Sequence, residues 1–364
     1  MHSSTHPALP TELIQDLQQF MLVPDHSDTA FNAMALRIFK HQFQHNLAYQ
    51  RYCQHLGKTP RFITHWRDIP AVPINAFKDA TLSCYPPELC QHVFMTSGTT
   101  QNVRGRNYHP DATVYDLSMR LYFKERFMLD DERMQMGIIF PTADTLPHSS
   151  LAHYLGLALT HFGTESSGYF IDEEGLQVDA LCAQLESAIA NNKPYALLGA
   201  SYSFVHLIDE LQQRQRRFQL PAGSRLFDTG GFKGQSRDIE LTEFYAALHE
   251  FFGVTPSQCI NMYGMTELSS QLYDRGNHNT PSVKSGPHWT RFRLVDPLTG
   301  ADVAQGEPGV VVHYDLANYN SVAALLTEDL GLAKDEGFQL LGRVAGAEAK
   351  GCSLAMEHFL QAVQ

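Results

Sequence analysis

Phe94-Met95-Thr96-Ser97-Gly98-Thr99-Thr100-Gln101-Asn102-Val103-Arg104-Gly105-Arg106 runs from an apolar strand end into four hydroxyl side chains gathered around a glycine. Backbone N–H groups and hydroxyls in such a turn can wrap an anionic oxygen, so the stretch reads as a phosphate loop. It does not match G-x-x-x-x-G-K-[ST], and the P-loop NTPase reading fails on the residues themselves. Alone, a Ser/Thr/Gly loop is equally an ordinary turn. The flanking sequence has to decide.

From about residue 91, short apolar runs alternate with longer amphipathic segments, the signature of a parallel sheet with crossover helices. Strands are expected at His92–Met95, Met136–Phe140, Tyr195–Gly199, Arg225–Phe227 and Gln258–Met262, and helices over 111–129, 149–161, 175–191, 201–214 and 237–252. After residue 285 the texture becomes strands broken by turns (Arg291–Val295, Val310–His313, Gln339–Leu341). Upstream, the first ninety residues read as largely helical, with apolar spacing in Leu13, Leu17, Phe20 and in Phe31, Met34, Ala35, Ile38, Phe39. Ser27 or Asp28 supplies an N-cap. Ile69-Pro70-Ala71-Val72-Pro73-Ile74 reads as extended chain, because each proline fixes φ and biases its predecessor away from helix. The expected fold class is therefore α/β, organised as a helical N-terminal segment (1–68), an α/β nucleotide-binding core (69–285) and a smaller β-rich region with a C-terminal tail (286–364).

Composition narrows the function classes. With 364 residues, 43% hydrophobic and 18% charged, the chain can bury a substantial core, and disordered, collagenous and coiled-coil readings are out. The 27 basic and 39 acidic side chains leave a net charge of −12. The one tight basic cluster, Arg214, Arg216 and Arg217, is too small to argue for nucleic acid. No apolar stretch approaches the ~18 residues of a membrane span, and Met1 to Pro10 lacks the pattern of a secretory signal. Six cysteines without a C-x-x-C pair fit neither a disulfide framework nor a zinc ribbon, so a reducing cytoplasm is the expected compartment. His41 and His45 share a helical spacing but lack the glutamate of H-E-x-x-H, and they read as surface or packing residues.

Four further segments follow the loop. Asp228-Thr229-Gly230-Gly231-Phe232-Lys233-Gly234 gives a glycine pair after a strand, where backbone can approach a flat ring; the plain alternative is a tight turn. Asn261-Met262-Tyr263-Gly264-Met265-Thr266-Glu267 places a ring, a hydroxyl and a carboxylate at a strand's C-terminal end, where open α/β sheets bind ligands. Its plain alternative is a strand-to-helix turn with a half-buried tyrosine. Thr327-Glu328-Asp329-Leu330-Gly331 and Leu340-Leu341-Gly342-Arg343 supply Asp329 and Arg343, an acid able to accept ribose hydroxyls and a nearby cation.

In this order, T-S-G-T-T, G-G, Y-G-x-T-E, T-x-D-L-G and G-R, the chain resembles the adenylate-forming ligase superfamily. Within it, the chain is most similar to the acyl-protein synthetases that supply fatty acids to the bacterial luciferase reductase, with the phenylacetate–CoA ligases as neighbours. The resemblance runs from Ile69 to the C-terminus and includes Phe77-Lys78. It implies the large N-terminal domain of that superfamily, with mixed sheets flanked by helices; with 364 − 343 = 21 residues after Arg343, the superfamily's mobile C-terminal domain is expected to be absent. It also implies ATP and Mg²⁺. Thr96, Ser97, Gly98, Thr99 and Thr100 would hold the departing phosphates; Gly230, Gly231, Tyr263 and Gly264 would border the adenine. Thr266 would touch the α-phosphate, Glu267 would help hold Mg²⁺, and Asp329 with Arg343 would hold the ribose. A carboxylate with substrate phosphates is the expected Mg²⁺ environment. Gln101 and Arg104 stand where the family usually has glycine and lysine. Lys233 or Lys350 would replace the charge of the family's C-terminal-domain lysine.

Ala349-Lys350-Gly351-Cys352-Ser353-Leu354 places Cys352 where the acyl-protein synthetases carry an acyl-accepting cysteine. Lys350 would favour the thiolate and a flexible Gly351 would let it reach. The alternative is a small buried residue on the helix that Leu354, Phe359 and Leu360 suggest. The acid's pocket is open between Gly199–Phe204, Phe140 and His161, each equally credible as core. Three functions follow: a ligase that adenylates a carboxylic, chiefly fatty, acid and loads it on Cys352 for a partner reductase or carrier protein; a ligase that passes the acyl group to free CoA; and a nucleotide-binding subunit without turnover.

Overall fold

The computed structural model describes residues 9–97, 103–232 and 235–363. By proximity the chain divides into two units, neither continuous in sequence. The first gathers the described residues up to Ser118, Met265–Ser270 and those from Gly286 on; the second gathers Met119–Gly264 and Gln271–Ser285. This grouping cuts across the three consecutive segments read from sequence texture.

The first unit opens with α1 (Thr11–Leu22), α2 (Asp28–His45) and α3 (Leu47–His55). Helix α1 buries Ile14, Leu17 and Met21, one position round from the Leu13–Leu17–Phe20 spacing, with Leu13 and Phe20 half-buried beside that stripe. Helix α2 buries Phe31, Met34, Ala35, Ile38 and Phe39 as spaced, and its N-cap is Ser27, whose Oγ accepts from the Ala30 amide. Two fully buried polar residues in this helical segment reach a distant loop. Gln42 Nε2 donates to the Asn318 carbonyl at 2.8 Å and its Oε1 accepts from Ala323 N, while Asn46 Nδ2 donates to the Ser321 carbonyl. Strand β1 (Val72–Pro73) and the short helix α4 (Ala76–Asp79) follow, then β2 (His92–Met95) and β3 (Arg106–His109), which pair antiparallel with Phe94 opposite Asn107.

Helix α5 (Thr113–Phe123) continues into a π-helical turn, Lys124–Met128, that ends at Leu129 with φ 57°. The second unit then alternates strand and helix: β4 (Gln135–Ile139), α6 (Ser150–Phe162), β5 (Gly168–Tyr169), the hairpin β6 (Ile171–Asp172) and β7 (Gly175–Leu176), α7 (Val178–Ala190), β8 (Tyr195–Ala200), α8 (Ser201–Gln213), β9 (Arg225–Thr229), α9 (Leu241–Phe252), β10 (Cys259–Tyr263), β11 (Leu272–Tyr273) and β12 (Val283–Lys284). Its sheet runs β11-β10-β9-β8-β4-β5, parallel throughout except for β11. Every residue of β8 is buried, as a central parallel strand covered on both faces requires. Leu181 and Leu185 of α7, Phe204 and Leu211 of α8, and Phe244 and Phe252 of α9 belong to the core on it.

Back in the first unit, β13 (Thr290–Val295), β14 (Gly309–Asp315), β15 (Ala324–Lys334) and β16 (Gly337–Arg343) form an antiparallel meander, and α10 (Gly346–Val363) follows. Strand β15 has eleven residues, and β16 pairs only with its second half, from Asp329 onward. The free edge of the first half takes β1 in parallel, Val72 against Leu325 and Pro73 against Leu326. The proline-punctuated segment is thus the extended chain its φ restriction demands, on a sheet edge where a missing N–H is tolerated. The expected α/β class with mixed sheets holds. Among the described residues no helix is long and apolar enough to cross a membrane.

Candidate active site

In the first unit, Thr96 and Gly105 close the neck of the hydroxyl loop. The Thr96 amide donates to the Gly105 carbonyl at 3.0 Å and the Gly105 amide donates to Thr96 Oγ1 at 2.9 Å. Ser97 is exposed; Gly98, Thr99, Thr100 and Gln101 lie outside the described residues. A methyl group on buried Gly105 would lie 3.2 Å from Thr96 Cγ2, 3.3 Å from Glu267 Oε1 and 3.4 Å from Phe77 Cβ, so the loop neck, Glu267 and α4 meet at this residue. Side chains from β3, from the end of β14 and from the loop after it fix the Thr266–Ser270 segment there. Asn107 Nδ2 donates to the Thr266 carbonyl at 3.0 Å and Asn318 Nδ2 to the Glu267 carbonyl at 2.7 Å. Asp315, at the end of β14, accepts from the Ser269 and Ser270 amides and from Ser270 Oγ.

Glu267 is 4% exposed, and burial pushes its carboxyl up to about 7. Its own amide, Lys78 and Arg343 pull the other way, while Asp329 adds to the rise. Among the described residues no three His, Cys, Asp or Glu side chains cluster as a metal cage. A single buried carboxylate that resists ionisation fits a cation that brings phosphates and waters as its other ligands, which is how Mg²⁺ is usually held.

The two sequence-predicted ribose residues face each other across the β15–β16 pair. Arg343 Nη1 approaches Asp329 Oδ1 at 3.3 Å and Nη2 donates to Glu328 Oε2 at 2.7 Å. Glu328 Oε1 accepts from Asn75 Nδ2, and Asn75 Oδ1 accepts from Lys78 Nζ at 2.8 Å. Asn75, Lys78 and Glu328 were quoted from the sequence at most as neighbours of a motif, without a role. The β1–β15 register explains the meeting: the offset that sets Val72 against Leu325 carries Asn75 to Glu328. Nothing in either local segment signals this pairing.

Cys352 lies within α10, 7% exposed, with Sγ 3.7 Å from the Thr327 carbonyl. Burial pushes its thiol up to about 11; Glu328 and Glu348 add to this and Arg343 opposes it. Gly351 is not the flexible joint expected from the sequence. It is helical and buried, and a methyl group on it would lie 2.9 Å from the Pro297 backbone, so the residue serves close packing. Lys350 is exposed, and Lys233 lies outside the described residues.

The second unit carries the other motifs at the C-terminal ends of β9 and β10. Gly230 takes φ 84°, and among the described residues no atom beyond the adjacent chain lies within 4 Å of where a side chain on it or on Gly231 would begin, so the turn is left-handed. Tyr263 is buried at the end of β10, and a methyl group on Gly264 would meet Met262 Sδ at 2.8 Å. Beneath the turn, buried Asp228 accepts from Ser201 Oγ (2.7 Å), Asn261 Nδ2 (2.8 Å) and Tyr245 OH (3.1 Å). Burial pushes its carboxyl up to about 6 despite those bonds and Lys284. Lys284 Nζ is paired with Asp274 at 2.8 Å, both side chains nearly inaccessible. Ser201 Oγ also donates to the Thr229 carbonyl at 3.1 Å, tying the start of α8 to the glycine turn. Of the proposed pocket residues, Phe204 is core, Phe140 is buried and His161 is half-buried. A methyl group on Gly199 would lie 2.5 Å from Ile139 Cγ1, so that glycine serves strand packing.

The fold is that of adenylate-forming ligases. An open conformation of 2-hydroxyisobutyryl-CoA ligase, in complex with 2-HIB-AMP and CoA, superposes with a TM-score of 0.63 at 15% identity, covering 87% of this chain and 74% of that one. ATP-bound MatB from Rhodopseudomonas palustris gives 0.51 at 15% identity, over 71% of this chain and 49% of that one. Two curated relatives are each 22% identical: the long-chain-fatty-acid–luciferin-component ligases of Vibrio harveyi, over 87% of this chain and 85% of the relative, and of Aliivibrio fischeri, over 89% and 86%. The family profile "Acyl-protein synthetase, LuxE" matches residues 8–361. With that match along nearly its whole length and an adenylate-forming fold beneath it, the chain belongs to the acyl-protein synthetase (LuxE) family and is an AMP-forming ligase.

Proposed function

We propose that this chain uses ATP and Mg²⁺ to adenylate a long-chain fatty acid and then takes the acyl group on Cys352, for delivery to an acyl-accepting reductase or carrier protein. The observation that carries the reading is the seating of Cys352 on the Thr327 carbonyl, two residues along β15 from Asp329, with Arg343 bearing on both. The names of the Vibrio harveyi and Aliivibrio fischeri relatives support the fatty acid and a luciferin-component acceptor.

In the first step a carboxylate oxygen bonds to the α-phosphorus, and the bond from phosphorus to the pyrophosphate oxygen breaks with its electron pair on pyrophosphate; no proton moves. Such chemistry needs positioning and charge neutralisation more than covalent help. Thr96, Ser97, Gly98, Thr99 and Thr100 hold the departing phosphates, and Lys233 or Lys350 replaces the charge of the family's C-terminal-domain lysine. Thr266 contacts the α-phosphate and Glu267 holds Mg²⁺, which when bound offsets the phosphate charge. Gly230, Gly231, Tyr263 and Gly264 border the adenine, and Asp329 with Arg343 holds the ribose. In the second step the Cys352 sulfur bonds to the acyl carbon, AMP leaves with the electron pair of the broken C–O bond, and the thiol proton departs to solvent. The free thiols suit a reducing cytoplasm.

Intact-protein mass spectrometry after incubation with ATP, Mg²⁺ and a panel of fatty and aromatic acids tests this. Wild type is expected to gain one acyl mass, greatest with a long-chain acid; Cys352→Ser is expected to gain none yet keep carboxylate-dependent ATP–pyrophosphate exchange. Exchange absent with every acid sinks the ligase reading. The burial of Cys352 favours a second acceptor, free CoA; acyl-CoA formed equally by Cys352→Ser would establish it and end the covalent role.

A further inference from the structure

Lys78 is tied to the ribose pair on one side and to the neck of the hydroxyl loop on the other. Its Nζ donates to Asn75 Oδ1 at 2.8 Å, Asn75 Nδ2 donates to Glu328 Oε1, and Glu328 Oε2 accepts from Arg343 Nη2 at 2.7 Å, beside Asp329. On the other side, the Cβ of its chain neighbour Phe77 lies 3.4 Å from where a methyl group on Gly105 would be, and Glu267 Oε1 lies 3.3 Å from the same point. Phe77 and Glu267 thus converge on the loop neck. Lys78 also favours the charged form of the Glu267 carboxyl.

The backbone makes this placement. The Ile74 amide donates to the Leu326 carbonyl at 2.9 Å, so the parallel pairing of β1 with β15 delivers α4 to the site, and α4 buries Ala76 and Phe77 while leaving Lys78 exposed. Among the described residues its one hydrogen bond is to a neutral amide oxygen. The charges of Arg343 and Lys284, by contrast, are spent on carboxylates. A nucleotide whose ribose is held by Asp329 and Arg343 and whose Mg²⁺ lies at Glu267 carries its α-phosphate between those two points. A lysine on a flexible four-carbon stem can leave Asn75 for it.

We propose that Lys78 is a further catalytic residue of adenylation: its ammonium, held on Asn75, turns to the α-phosphate of ATP and the attacking carboxylate and offsets the charge that gathers there. This rests on the ATP-dependent ligase reading above. Lys78 forms no covalent bond and keeps its protons throughout. Losing one such preorganised donor costs about 10²–10³ in rate.

The test compares Lys78→Met and Lys78→Arg with wild type in the full chain. Lys78→Met is expected to lose about 100-fold in carboxylate-dependent ATP–pyrophosphate exchange at saturating ATP, while its affinity for ATP·Mg²⁺, read by calorimetry without an acid, falls by no more than about tenfold. Lys78→Arg should recover part of the exchange. Exchange by Lys78→Met within about threefold of wild type overturns the proposal, as does a loss confined to ATP affinity, which would make Lys78 a binding residue only. A second measurement needs no variant. Adenosine diphosphopyridoxal condenses through its aldehyde with a lysine nitrogen, losing water, and borohydride supplies the hydride that fixes the product. Peptide mapping of labelled wild type should find Lys78, with the label suppressed by ATP; label only on Lys233 or Lys350 overturns the proposal. Wild type that exchanges with no acid retires the ligase reading and the role of Lys78 with it, whereas exchange in wild type that Lys78→Met matches overturns Lys78 alone.

Discussion

Binding of ATP·Mg²⁺ should expel a proton from Glu267. In the free protein burial pushes this carboxyl from an ordinary 4.5 up to about 7. The folded chain therefore holds the proton more tightly than the unfolded chain. Its contribution to stability is full below pH 4.5 and is lost as pH rises from there to about 7, a total of about 3 kcal/mol at 1.4 kcal/mol per unit. A divalent cation beside the carboxylate reverses the preference, because it favours the charged form. At pH 6.5 a group titrating near 7 is about three-quarters protonated, so binding should release about 0.7 proton, falling to about 0.1 at pH 8. Isothermal titration calorimetry in two buffers of different ionisation enthalpy reads this directly, in excess Mg²⁺ and without an acid substrate, so that no turnover occurs. Glu267→Gln should abolish the release. Asp228 also titrates in this range, at about 6, but it is present in both proteins and cancels in the comparison. No release from wild type at pH 6.5, or equal release from Glu267→Gln, refutes the assignment of the cation to this residue.

Other expectations concern stability. Lys284→Met should cost about 3–5 kcal/mol in urea unfolding, because it removes the cation paired with buried Asp274; a loss below about 1 kcal/mol would mean that the bonds Asp274 accepts from Asn277 and Ser282 suffice without the lysine. Gly351→Ala should lower stability by about 1–2 kcal/mol although alanine is the better helix former, since the added methyl meets Pro297 at 2.9 Å. A stabilised variant would show that this contact yields. Gly230→Ala should cost about 1 kcal/mol from its φ of 84° alone, with no described residue for the methyl to collide with; a cost several times larger would point to a contact above the turn.

The α/β alternation of the second unit was legible because each strand is a short apolar run and each helix an amphipathic one; β8, predicted as Tyr195–Gly199, spans Tyr195–Ala200. Strand β15 was not predicted as a strand. Its first half, Ala324-Leu325-Leu326-Thr327-Glu328, is rich in helix formers, and the two strands beside it, β1 and β14, override that local preference. Asp329 and Arg343 were paired from motif order, and the cross-strand register brings them face to face. Asn75 escaped notice, and Lys78 was given no role, because the partner of Asn75 lies across a parallel register that no local pattern announces. Gly351 was misjudged because the same residue type serves freedom in a loop and close approach in a helix, and only Pro297, far off in the chain, distinguishes them.

The pairing of β1 with β15 also sets a timetable for synthesis. The strands β4, β8, β9 and β10 follow one another closely in the chain, so their sheet can close while later residues are still being translated. Val72 must wait for Leu325, and Gln42 and Asn46 for the loop from Asn318 to Ala323. Val72, fully buried in the fold, and the two buried amides are therefore open to solvent until those partners emerge. Domains generally fold as units during synthesis, and uncovered apolar surface is what chaperones bind and aggregates grow from. Here the strand that carries Val72 is secured only after β15 has been made, well after the parallel sheet between them in sequence can close.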